Sequence, residues 1–179
     1  MAVSRDDAKK NSRAFARHMA TDSEFQDMFA ELMQEDNDRA CAVLCGNILD
    51  DTLRDSINIE FRELNSDEYD RMFDTQGGPL STFSAKINMA YAMGLIERPD
   101  RKNLELMRDV RNVFAHSLKH LSFSTPEVAT YCSFLTPPEG SDSSEGARSV
   151  YVSIALDLAQ RLRMQGVKRH LARKPLLGK

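Results

Sequence analysis

The chain has 179 residues, 41% hydrophobic and 28% charged, with a formal net charge of -3 and a mean hydropathy of -0.46. Those values exclude a disordered, fibrous or membrane-embedded chain, and the length suffices for a real core, since about 150 residues already bury roughly 68–70% of their unfolded surface. Eight Gly, six Pro and no Trp leave few turns, which favours long helices over many short strands.

Three Cys are too few and too scattered for a secreted disulfide scaffold. Met1–Met19 carries no apolar signal-peptide core, and no stretch reaches the roughly 18 apolar residues of a membrane span. The expected compartment is therefore a reducing cytoplasm, with no membrane contact. Arg161–Lys179 holds seven basic and no acidic residues, which leaves -10 on residues 1–160. An acidic body repels nucleic acid, so only the basic tail, 167–179, offers a weak, non-specific phosphate contact. The plain structural reading of that tail is a solvated helix end.

In chain order, Ser4 to about Ala20 reads as a first helix. Thr21-Asp22-Ser23-Glu24 fits a capping box, and Phe25, Met28, Phe29, Leu32 and Met33 then recur at helical spacing. Asp36 or Asn37 caps a long helix to about Leu64. Its broad apolar face holds Cys41, Leu44, Cys45, Ile48, Leu49, Thr52, Leu53 and Ile59, with Asp50 and Arg54 opposite. Asp55 falls inside that stripe and needs a partner. Asp67–Phe73 is a short helix, followed by the loop Asp74–Pro79. Helices near 81–93, 100–118 and 148–165 complete the broad apolar faces, with a shorter one opening at the capping box Ser124–Glu127. Gly94 is placed to end the 81–93 helix. The Pro-, Gly- and Ser-rich segment 136–147 predicts a mobile loop. The expected fold is one all-α domain over 1–179, with seven or eight helices and no sheet.

Three patterns carry possible chemistry. Cys41-x3-Cys45 and His116-x3-His120 supply four zinc-type ligands in principle. The thiols, however, lie among Leu44, Ile48 and Leu49, where cysteine acts as a small hydrophobe, so no metal and no cofactor are expected. Gly77-Gly78-Pro79 before a helix offers free N–H groups to an anion but lacks the phosphate-loop pattern, and its plain reading is a tight turn. Arg111-Asn112-Val113-Phe114-Ala115-His116 is the third. Arg111 projects about 20° from Leu104, at the edge of an apolar stripe, where a guanidinium wants a carboxylate. Asp55, then Asp51, are the expected partners in a strut between two helices. The Arg-x4-His spacing also resembles the signature of HEPN-type helical ribonucleases, with Arg111, Asn112 and His116 as the alternative catalytic set and the His as general acid or base. His116 lies about 140° around the helix from Arg111, which argues against a complete site within one helix.

Taken together, Phe73 to Ile87 with its Gly77-Gly78-Pro79-Leu80 core, then Gly94-Leu95-Ile96, and Leu106 to His116 followed by Phe123-x-x-Pro126-Glu127-Val128, resemble the bacterial mannitol operon repressor (MltR) family. The resemblance covers about residues 40–165, and the Arg111–His116 run looks closer to the family's less characterised branch. It implies an all-α fold and a repressor of mannitol-type sugar-alcohol utilisation. No basic recognition helix for a major groove is evident. The combined expectation is a non-enzymatic regulator that works through a protein partner, as a homo-oligomer. Gly77, Gly78, Pro79, Leu80, Arg111, Asn112 and His116 are its motif residues.

Overall fold

A computed structural model describes residues 22–34, 36–61, 63–138 and 146–173. The first expected helix, the capping Thr21, the core of the 136–147 loop and the last six residues lie outside them. Among the described residues the secondary structure is all helical, with no strand. The chain divides into two compact units, with the boundary after Gln34. In the first, α1 spans Asp22–Gln34. The second holds α2 (Asp38–Glu60), α3 (Ser66–Tyr69, running into a π-helical turn Asp70–Asp74), α4 (Phe83–Ala92), α5 (Arg98–His116), α6 (Pro126–Cys132) and α7 (Ala147–Arg173).

Helix α2 is the axis of this unit and packs against α7, α5 and α4. Asn37 caps it, its Oδ1 accepting from the Arg39 and Ala40 amides. Asp38 then ties two distant segments, accepting from the Phe123 amide at 2.8 Å and from Arg148 at 3.1 Å. The buried arc of α2 is wider than the predicted stripe, because it is covered on several sides. Ala42, Gly46, Ser56 and Ile57 join Cys41, Cys45, Ile48, Leu49, Thr52 and Leu53. Leu44, at the edge of the arc, is exposed instead. Thr52 and Ser56 satisfy their hydroxyls on the Ile48 and Thr52 carbonyls one turn back.

Leu104, Met107, Val110 and Phe114 form the buried face of α5, as their spacing predicts. Tyr151 locks three helices at one point. Its fully buried hydroxyl lies 3.1 Å from the Met107 carbonyl of α5 and 3.3 Å from the Ala42 carbonyl of α2. A phenol has one proton to donate, and these two acceptors share it. Its ring sits in a row with Phe123 and Phe114, centroids 5.2 and 5.1 Å apart. Asn103 fixes the chain after α6 by exchanging two hydrogen bonds with the Thr136 backbone.

The loop between α3 and α4 is built by its glycines. Gly77 has φ +86°, and Gly94, which ends α4, has φ +68°. The Leu95 amide reaches back to the Ala90 carbonyl and the Gly94 amide to that of Tyr91, a Schellman closure. Gly78 is required for a different reason: a Cβ there would stand 2.6 Å from the Arg71 carbonyl oxygen and 3.0 Å from those of Met72 and Thr75. Backbone atoms cannot swing away, so Gly78→Ala is expected to cost about 1–3 kcal/mol. Thermal unfolding checks this. A melting temperature within a degree of the parent would show that the loop relaxes freely.

Candidate functional site

One of the sequence motifs, through Arg111 and Asn112, lines a cleft beside the helix entry that follows another. Its volume is about 480 Å³, and its walls come from α2 (Gly46, Asn47, Asp50), the entry to α4 (Ser81 to Ser84) and α5 (Arg108, Asp109, Arg111, Asn112). The Gly77-Gly78-Pro79-Leu80 loop does not line it. That loop sets its position: Leu80 is buried as an anchor, its amide bonds to the Met72 carbonyl, and the next residues start α4 at the cleft. Thr82 caps α4 by accepting from the Ala85 amide at 3.1 Å.

The expected Arg111–Asp55/Asp51 strut is not formed. Arg111 donates from Nη2 to Asn47 Oδ1 at 3.2 Å and from Nη1 to Asn112 Oδ1 at 3.1 Å. Asp51 and Asp55 instead pair with Arg54 of their own helix, at 3.0 and 3.7 Å. Helix register is the cause. Helices α2 and α5 run antiparallel, with Arg39 bonded to the Lys119 carbonyl at one end, so Arg111 meets the Asn47 level. Asp51 and Asp55 lie about 6 and 12 Å further along at 1.5 Å per residue. Gly46 sets the approach: a Cβ there would be 2.6 Å from Arg111 Cγ, so the absent side chain seats the arginine stem against α2.

Sequence reasoning missed Lys86. It is 4% exposed and pairs with Asp50 at 2.9 Å, an ion pair beneath the cleft. At 100° per residue Lys86 falls only about 40° from Ala90, inside the apolar arc of α4, which was the available signal. Burial pushes Asp55 up to about 6 from its ordinary 3.8, outweighing the pull of Arg54.

The remaining candidates lie apart. His116 ends α5 and is exposed, as is His120, which lies beyond the helix. The two histidines therefore do not share a helical face, and His116 is not among the cleft residues. Cys41 and Cys45 are fully buried. Donation of its proton to the Cys41 sulfur, together with burial, pushes the Cys45 thiol far up, and burial raises Cys132 to about 11. Among the described residues no group of three or more His, Cys, Asp or Glu is placed to hold a metal ion.

The segment read as a basic tail from 167 is helical to Arg173. Arg169 pairs with Glu60 at 3.2 Å, and Arg161 grips Asp100 at 2.8 and 3.2 Å and Asp157 at 2.8 Å.

This arrangement defines an all-α fold with a polar cleft at its α2–α4–α5 junction. No protein-family model matches the sequence, and no curated protein matches it. Among solved structures the chain is similar to one in the X-ray structure of the MtlR–HPr complex from Escherichia coli. The TM-score is 0.61 and the identity 19%, over 76% of this chain and 96% of that one. At that identity the likeness establishes an MtlR-like fold.

Proposed function

We propose that the chain is a cytoplasmic transcriptional regulator that represses a sugar-alcohol, mannitol-type operon through protein contacts, as a homo-oligomer and without enzymatic activity. The observation that carries this reading is the fold likeness, which spans 96% of a chain from a structure of a complex with HPr. HPr is accordingly the candidate partner. Among the described residues no helix is long and apolar enough to cross a membrane. Tyr131 and Phe134, at and just beyond the end of α6, expose large apolar side chains of the kind that mark protein contacts.

Direct base reading has little support from the charges. Arg161 and Arg169 are engaged by carboxylates, which removes two of the seven cations available for phosphates. Binding of a promoter fragment at physiological salt is therefore expected to be weak and indifferent to sequence. It should weaken further when Lys168, Lys174 and Lys179 are changed to Gln, because each cation withdrawn from a phosphate lowers the salt slope by about 0.9. A tight, sequence-specific mobility shift would contradict the indirect mechanism.

A HEPN-like ribonuclease is the second reading. It is favoured by Arg111, which lines a polar cleft and, among the described residues, has no carboxylate partner. The exposed His116 outside that cleft weighs against it. RNA cleavage by the purified chain that disappears in His116→Ala would replace the regulator reading.

A further inference from the structure

The cleft has an unbalanced charge, and it sits on Arg111. Arg108 is held by Asp109 at 2.7 Å, and Lys86 is held by Asp50 at 2.9 Å. Among the described residues, Arg111 has no carboxylate partner and donates to two neutral amide oxygens, of Asn47 and Asn112. Those oxygens orient the guanidinium without neutralising it, and the missing side chain of Gly46 gives its stem a fixed seat. A guanidinium fixed in a concave wall is a preformed receptor for a planar or tetrahedral oxyanion.

The rest of the wall suits a hydroxylated body. Asp50 and Asp109 present carboxylate oxygens, Ser84 a hydroxyl, and Asn47 and Asn112 amide nitrogens that can exchange hydrogen bonds with ligand hydroxyls. Phe83 adds one apolar surface for C–H groups to pack on. The volume of about 480 Å³ lies within the roughly 300–1,000 Å³ of small-molecule pockets. We propose that this cleft binds a small hydroxylated anion, with its phosphate or carboxylate group on the Arg111 guanidinium. This goes beyond the regulator reading and stands whether or not the chain represses an operon.

The test is a titration of the full chain with glucose 6-phosphate, with gluconate and with neutral glucose, followed by amide chemical shifts. Saturable shifts are expected at Gly46, Asn47, Ser84 and Asn112 with an anion and not with glucose. The tighter of the two anions tells phosphate from carboxylate. Arg111→Gln should weaken binding at least about tenfold, the loss of a charge-assisted hydrogen bond. Ser84→Asp gives a second variant that folds independently of the arginine. An acid at the second position of α4 suits the helix dipole while repelling an anion, and binding should fall by a similar factor. No saturable shifts with either anion, an equal response to glucose, or unchanged affinity in both variants would overturn the proposal.

Discussion

Asp50→Ala is expected to destabilise the fold by about 3–5 kcal/mol, the cost of stranding a buried charge. The ammonium it leaves behind, on Lys86, is only 5% exposed in its side chain, whereas Asp50 is 32% exposed. The asymmetry predicts that Lys86→Met costs less, about 1–2 kcal/mol, because water can reach the abandoned carboxylate. The double variant should recover most of the loss, since removing both charges leaves nothing unpaired. Chemical denaturation of the three variants checks this. Additive losses in the double variant would show that the two groups do not depend on each other.

Asp55 contributes a pH dependence, in the same direction as its neighbour Asp51, whose carboxyl burial also raises. Burial holds its carboxyl at about 6 in the folded chain against an ordinary 3.8, with Arg54 and Asp51 of α2 and Arg163 of α7 as the charges around it. Between about pH 4 and pH 6 the folded chain thus holds a proton that the unfolded chain has released. Stability from this group is greatest at the acid end, falls as pH rises through that window, and levels off above it. The ionised form costs the fold about 3 kcal/mol at neutral pH. Asp55→Asn mimics the protonated acid. It should be more stable than the parent by about 2–3 kcal/mol above pH 6 and no more stable near pH 4. A variant that is less stable at pH 7.5 would show that the contact with Arg54 outweighs burial.

The helical class and most of the core were legible because both follow from spacing along one segment. Leu104, Met107, Val110 and Phe114 recur at helical intervals and are buried together, and Asn37 and Gly94 cap where their chemistry predicts. The π-helical turn after Tyr69 had no such signal. The partner of Arg111 was not legible either. Its direction around α5 follows from 100° per residue, but its level against α2 depends on how closely the helices approach, which Gly46 and the Tyr151 contacts set. Asp50 illustrates the same limit from the other side. It lies off the apolar stripe of α2, yet α4 closes over it and brings Lys86 to its carboxylate. The convergence of the Ser81–Ser84 entry and the Arg108–Asn112 segment on one cleft is a tertiary fact that neither segment contains.

If the chain regulates by holding a protein partner, as proposed, it should bind HPr, and isothermal titration of the purified chain with purified HPr tests this most directly. A saturable complex of fixed stoichiometry is expected, with a dissociation constant of about 10 µM or tighter. No heat of binding and no complex on size-exclusion chromatography at concentrations well above that value would contradict the assignment of HPr as partner and, with it, the main support for regulation through protein contacts.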